Sequence, residues 1–336
     1  MQGVVLTASP EFLAELAAEV QELFPGAEQR RLGAEAIFLV TGDPQRAVRR
    51  LLASPPIFAH HLHPAEVVAV ADAAAISQAV LARLPEQLES VPAGSRVAVQ
   101  GRVLSGALPW QPRELKEACD PLLIDYGHQP TIKDPQWVIS ASLSGQELYL
   151  GFSRAEDNLS DWTGGKVHFR KSAQDISRAK FKLMEAIVRF RVRLPVGGRA
   201  LDLGAAPGGW TSVLLESGLR VVAVDTGLLD PRLQGHPGLE FRQVNANHLR
   251  LGRADYFDLI TSDISWNPLF TVKIINGLLA HLRSEGQVIM TVKLMGRSPR
   301  RTVASVIDAL DGSLQVRHAQ HLFHNRQEIT LHLQKK

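Results

Sequence analysis

The sequence predicts an α/β chain of 336 residues. Its second half reads as a Rossmann-like doubly wound sheet with the last strand antiparallel, and small α+β units precede it. Three observations carry this reading. From residue 200 onward, strands alternate with helices and finish in two adjacent strands, the order of a doubly wound sheet that closes on an antiparallel strand. The run Ala200-Leu201-Asp202-Leu203-Gly204-Ala205-Ala206-Pro207-Gly208-Gly209-Trp210 leads an apolar strand through a small-residue turn into a helix. That places a nucleotide-sized ligand site at the carboxyl end of a parallel strand. The first stretch of the chain repeats β-α-β-α, a ferredoxin-like rhythm.

Length and composition bound the rest. The chain is long enough for two or three domains with a sizeable core, and a hydrophobic content of 45% excludes bulk disorder. Net charge is only +3, so the placement of the basic residues matters more than their sum. A single cysteine, Cys119, rules out an intrachain disulfide framework or a cysteine zinc site and fits a reducing compartment. No apolar run reaches membrane-spanning length. The opening Met1-Gln2-Gly3-Val4-Val5-Leu6 lacks the basic and long apolar regions of a signal peptide. The expectation is a cytoplasmic monomer with no membrane partner.

In order, residues 4–8 read as a strand and 10–24 as an amphipathic helix with Phe12, Leu16, Val20 and Phe24 at four-residue spacing. Pro25-Gly26 ends it. Residues 36–40 form a second strand and 44–52 a helix carrying Arg46, Arg49 and Arg50. A second unit follows: strand-like residues at 58–70, an alanine-rich helix at 71–88, an alternating strand at 95–103, a helix at 112–126, and a hairpin of 137–143 and 147–152 turning at Ser144-Gly145. His60, His61 and His63 alternate faces of a strand and are expected on the surface rather than on a metal. The polar stretch 156–165, ending Thr163-Gly164-Gly165, is expected to link 1–55 and 56–155 to a domain at 166–336.

That last domain opens on a basic run. Lys166, Arg170, Lys171, Arg178, Lys180, Lys182, Arg189, Arg191 and Arg193 face only Asp175 and Glu185. A solvated helix face explains such a run. Its position before a ligand-binding turn points equally to a phosphate backbone. The helix is expected at 177–190.

The turn departs from the dinucleotide fingerprint. Asp202 ends the strand before Gly204, and Pro207-Gly208-Gly209-Trp210 stiffens the turn and opens the helix. A carboxylate there disfavours a pyrophosphate and suits a cationic or zwitterionic adenosyl ligand. A second strand, 220–224, ends in Asp225, suited to two ribose hydroxyls. A third, 241–245, ends in Asn245, suited to an adenine edge. Together these residues indicate S-adenosyl-L-methionine. Strands at 257–262 and 287–292 lead to Asp263 and Lys293, helices are expected at 271–282 and 299–310, and strands at 314–322 and 329–333 close the sheet. Arg297, Arg300 and Arg301 add basic charge at the start of the last helix. In this topology Lys182, Asp263, Lys293 and Glu328 all reach the carboxyl edge. Two ordinary ion pairs, Asp263–Lys293 and Lys182–Glu185, explain them as well.

The stretches Ser177-Arg178-Ala179-Lys180-Phe181-Lys182, Asp202 to Trp210, Ser262-Asp263, Val292-Lys293 and Arg326-Gln327-Glu328 resemble the Lys-Asp-Lys-Glu motifs of the FtsJ/RrmJ-type RNA 2′-O-ribose methyltransferases. The resemblance covers roughly residues 166–336. Residues 322–332 are most similar to the RlmM branch, the THUMP-containing bacterial 23S rRNA cytidine 2′-O-methyltransferases. It implies a ferredoxin-like domain (1–55) and a THUMP-like RNA-binding domain (56–155) ahead of the catalytic domain. It implies catalysis by Lys182, Asp263, Lys293 and Glu328, and no metal. Cofactor contacts then fall to Asp202, Gly204, Pro207, Gly208, Gly209, Trp210, Asp225, Asn245 and Asp263, and RNA contacts to Arg170, Lys171, Arg178, Lys180, Arg297, Arg300 and Arg301. In that scheme Lys293, acting neutral, takes the ribose hydroxyl proton, Lys182 depresses its basicity, Asp263 orients it and Glu328 holds Lys182. The chain departs from the family at Asn245, where relatives carry Asp, at Ala179, where cytidine-specific relatives carry Ser, and in Ser265-Trp266-Asn267-Pro268. A non-catalytic RNA-binding protein with a relic fold is the alternative, and the full set of four charged residues counts against it. The turn counts against a nicotinamide oxidoreductase. The wording after Asp263 counts against a DNA amino-methyltransferase.

Overall fold

A computed structural model describes residues 1–106, 108–296 and 298–336. The chain divides into two units, Met1–Val167 and His168–Lys336.

The strands of the first unit are β1 (Gln2–Thr7), β2 (Gln29–Arg31), β3 (Ala36–Val40), β4 (His61–Ala69), β5 (Arg96–Ser105), β6 (Gln129–Pro130), β7 (Trp137–Ser144) and β8 (Glu147–Arg154). Its α-helices are α1 (Leu13–Leu23), α2 (Pro44–Ala53), α3 (Ala73–Leu81), α4 (Leu84–Glu89) and α5 (Pro112–Asp125). The expected alanine-rich helix at 71–88 is two helices, because Pro85 in the first turn of α4 lacks the N–H an unbroken helix needs.

The strands expected in two separate units share one sheet, in the order β2-β3-β1-β4-β8-β7-β5-β6. β4 makes the join, pairing antiparallel with β1 on one side and β8 on the other. That central place explains the first correction. His60, His61 and His63 are buried, not on the surface: His61 and His63 pair with Thr7 and Val5 of β1, and His63 Nε2 lies 3.3 Å from Ser142 Oγ of β7. Burial holds His63 neutral, down to about 4. No cluster able to hold a metal occurs among the described residues. The second correction concerns 156–165. Thr7 Oγ1 donates to Gly164 O at 3.1 Å, and Gln100 Nε2 donates to Asp161 O at 2.6 Å, so this stretch is packed onto the first unit. Lys166 also belongs there, paired with Glu35 at 2.8 Å.

The second unit holds β9 (Arg199–Leu203), β10 (Arg220–Asp225), β11 (Leu239–Gln243), β12 (Phe257–Ser262), β13 (Leu282–Lys293), β14 (Leu314–Gln320) and β15 (Glu328–Lys335). Its α-helices are α6 (Lys180–Arg189), α7 (Gly209–Glu216), α8 (Pro268–Leu278) and α9 (Pro299–Asp308). The sheet order is β11-β10-β9-β12-β13-β15-β14. The pairs from β11 to β13 are parallel, and β15 runs antiparallel to both β13 and β14. The expected antiparallel last strand is therefore present, and it lies inside the sheet. Leu183 and Ala186 of α6, with Phe190 just past its end, pack with Trp210, Val213 and Leu214 of α7 on Ala200, Val221, Ala223 and Leu259 of the sheet. The apolar stripe of each helix meets continuous apolar strands, as parallel sheets require.

Candidate active site

The carboxyl ends of β9, β10, β12 and β13 lie along one edge, and the turn after β9 shapes the site there. Gly204 N and Ala205 N both donate to Val224 O, at 3.0 and 3.2 Å, which folds the turn back over β10. Gly204 has φ +75°, and a Cβ on it would lie 2.9 Å from Ile264 Cγ1. Gly208 has φ +116° and caps α7, where a Cβ would lie 2.3 Å from Leu233 Cδ1. Both positions need glycine for conformation as well as for space. Gly208→Ala is expected to cost about 1–3 kcal/mol of stability, read as a lowered denaturation midpoint; an unchanged midpoint would refute it.

A cavity of about 210 Å³ opens beside this turn. Gly204, Asp225, Asn245 and Asp263 line it, together with Ala206, Ile264, Ser265 and Trp266. Asp225 Oδ2 accepts from Ala206 N at 2.9 Å and Oδ1 accepts from Gly227 N at 2.8 Å, so the carboxylate is fixed at the strand end with lone pairs to spare. Asn245 lies beyond the end of β11 and caps the next turn, its Oδ1 accepting from Asn247 N at 3.0 Å. Ala206, Ser265 and Trp266 were not singled out as ligand residues by the sequence; the position of Ser265-Trp266 directly after Asp263 was the available signal.

Other residues expected to touch a ligand stand behind the cavity. Asp202 is buried, accepting from Thr211 Oγ1 at 2.6 Å and Thr261 Oγ1 at 2.9 Å, and so ties β9 to α7 and β12. It does not line the cavity. Burial pushes its carboxyl up to about 7 despite the two threonines. Folded Asp202 therefore keeps its proton to about pH 7, where the unfolded chain releases it near pH 4, and stability should fall as pH rises through that window. Urea midpoints at pH 5 and pH 8 should differ less in Asp202→Asn than in the wild type. Equal differences would sink this assignment. The Trp210 indole is buried and donates to Ala179 O at 2.9 Å, holding the start of α6. Gly209 is buried against Ser177, and Pro207 lies on the exposed side of the turn.

Lys182, Asp263, Lys293 and Glu328 do converge. Lys182 Nζ donates to Asp263 Oδ1 and Oδ2 at 2.8 and 2.7 Å and lies 3.1 Å from Glu328 Oε1. Glu328 also accepts from Lys293, its direct partner across β13 and β15. Thr291 Oγ1 donates to Asp263 Oδ1 at 2.9 Å. Burial raises the Glu328 carboxyl, but its bonds to Lys293 and Lys182 outweigh this and hold it below the usual range. The linkage differs from the expected one: Asp263 holds Lys182 rather than orienting Lys293, and Glu328 bridges the two lysines. Neither ordinary ion pair forms. Glu185 turns away from Lys182 and accepts from Phe323 N, His324 N and His324 Nδ1.

Of the basic residues, Arg170, Lys171, Arg178 and Arg301 are exposed. Lys180 is half-buried and paired with Asp175 at 2.8 Å. Arg300 is half-buried. Arg297 lies outside the described residues.

Residues 176–301 match the FtsJ-like methyltransferase family. The chain is 34% identical over 174 residues to the ribosomal RNA large subunit methyltransferase M of Halorhodospira halophila, covering 51% of this chain and 50% of that protein. It is 30% identical over 234 residues to the protein of the same name from Xylella fastidiosa, covering 66% and 65%. It thus spans between half and 65% of the length of these curated relatives. Among solved structures, TrmN from Thermus thermophilus aligns over 100% of both chains at 18% identity and a TM-score of 0.42. No helix among the described residues is long and apolar enough to cross a membrane.

Proposed function

Residues 176–301 form an FtsJ-like methyltransferase domain, whose methyl donor is S-adenosyl-L-methionine, and from that premise we propose that the chain transfers the methyl group to a ribose 2′-hydroxyl of 23S rRNA. The observation that carries the reading is the connected cluster of Lys182, Asp263, Lys293 and Glu328 beside the cavity that Asp225, Asn245 and Asp263 line. The cavity residues suit an adenosyl ligand. Asp225 has acceptor capacity for two ribose hydroxyls, and Gly204 lets the ligand approach the backbone. When bound, the cofactor supplies an electrophilic methyl group on a sulfonium.

A ribose hydroxyl is a poor nucleophile at neutral pH, so the protein must take its proton. Lys293 in its neutral form accepts that proton on Nζ, and Glu328 holds the ammonium so formed. Lys182, fixed by Asp263 and Glu328, provides a second positive charge against the hydroxyl oxygen. The rest of the rate comes from holding the hydroxyl in line with the methyl group. Arg170, Lys171, Arg178 and Arg301 are assigned to RNA phosphates. The first unit, with its ferredoxin-like and THUMP-like portions, is assigned to RNA delivery.

Ribose-methylation mapping of 23S rRNA from a strain lacking the gene tests this. One 2′-O-methyl group should disappear and return on complementation with the wild type but not with Lys293→Ala. An unchanged methylation map, with cofactor binding absent from the purified protein, would favour a non-catalytic RNA-binding role.

A further inference from the structure

Glu185 is a buried carboxylate, 2% exposed, that the chemistry above leaves unused. It lies on α6, one turn from Lys182. Its oxygens accept three hydrogen bonds, all from one loop: Phe323 N at 2.8 Å, His324 N at 2.8 Å and His324 Nδ1 at 2.7 Å. That loop, 321–327, runs directly into Glu328. It is internally braced: Asn325 Oδ1 accepts from Leu322 N at 2.8 Å and from Thr330 Oγ1 at 3.1 Å. Leu294 N, next to Lys293, donates to Gln327 O at 2.8 Å. Phe181 and Phe169 flank the His324 ring at 5.5 and 5.4 Å. The loop therefore behaves as one piece, and Glu185 ties it to the helix that carries Lys182.

We propose that Glu185 is a positioning residue: by clamping 323–324 to α6 it sets the separation of Lys182 from Glu328, and through Glu328 the place of Lys293. A buried carboxylate with three donors is an expensive device if only fold stability is needed, since a well-packed apolar side chain serves as well. A carboxylate meets three donors with short, charge-assisted bonds that fix distance closely. The inference rests on the reading of the four charged residues given above.

The test is Glu185→Gln. Its amide oxygen keeps some of the bonds, while its NH₂ group meets an N–H and pushes the loop off α6. With 23S rRNA transcript as substrate, kcat should fall about 10²-fold, as a displacement of about 1 Å costs. KM for the transcript and Kd for S-adenosylhomocysteine should stay within about threefold, the split expected when only transition-state geometry is lost. A crystal structure of the variant should show Lys182 and Glu328 out of hydrogen-bond range. Wild-type kcat in Glu185→Gln, or an unchanged Lys182–Glu328 contact, overturns the proposal. If Glu185→Gln does not fold, Glu185→Asp, which keeps the charge but withdraws it by one methylene, should lower kcat with cofactor binding intact; wild-type kcat there overturns it equally. Should Lys293→Ala prove fully active, the catalytic reading fails. Should Lys293→Ala be inactive and Glu185→Gln fully active, the positioning role alone fails.

Discussion

Lys293→Ala is expected to lower methyl transfer to 23S rRNA by about 10²–10⁴-fold, the range that a positioned general base contributes. Cofactor binding should be nearly untouched, because Lys293 does not line the cavity beside the turn. The variant should also fold. Glu328 is buried and would be left charged, but Lys182 remains 3.1 Å from its Oε1 and keeps that carboxylate compensated. Two measurements decide the matter: initial rates with 23S rRNA transcript, and calorimetric titration with S-adenosylhomocysteine. A rate within tenfold of wild type, with binding intact, removes Lys293 from the role of base.

Asp225→Ala should act on the other half of the reaction. Its carboxylate is assigned to two ribose hydroxyls of the cofactor, and hydrogen bonds to a charged acceptor contribute about 1.5–3 kcal/mol each. The same oxygens restrain Ala206 N and Gly227 N, so their removal also loosens the turn. Calorimetry with S-adenosylhomocysteine should show affinity lowered about 10²-fold or more, from two lost charge-assisted bonds. Asp225→Asn, which keeps one acceptor oxygen, should lose less. An unaltered affinity in Asp225→Ala would show that the cofactor ribose lies elsewhere.

The strands were the most legible part of the sequence. β3 and β12 have the bounds expected of them and β10 runs one residue further, to Asp225, because a buried parallel or central strand is written as a mostly apolar block. β2, Gln29–Arg31, carries no such signal: it is a polar edge strand whose identity comes from pairing with β3. The third strand of the second unit falls at Leu239–Gln243, two residues before its expected place, since half-buried strands mark their ends weakly. The joining of β4 to β8 was invisible because pairing between distant segments leaves no local pattern. For the same reason His61 and His63 read as a surface run although β4 runs through the middle of the sheet.

The candidate site divides along similar lines. Lys182, Asp263, Lys293 and Glu328 were legible as a set, because strand ends of a doubly wound sheet share an edge and because their motifs resemble those of a family. Which carboxylate serves which lysine was not legible. That depends on the cross-strand register of Lys293 with Glu328 and on the approach of α6 to β12. The partners of Asp202 were not legible: an acid before a glycine turn looks like a ligand group, and its side chain is bonded to Thr211 and Thr261. Glu185 was legible only as a neighbour of Lys182 three residues away, a spacing that suggests an ion pair on the helix. The loop that claims it lies far along the chain.

The interior position of β15 bears on how the protein is made. A chain growing from the ribosome completes β13 well before β15 exists, and β14 has β15 as its sheet partner. Until β15 emerges, β13 presents an open edge, the kind of surface that recruits stray strands. The same late step delivers Glu328, without which Lys182 and Lys293 lack the carboxylate between them. Sealing of the sheet and completion of the lysine–carboxylate cluster are thus one event, the docking of β15 between β13 and β14.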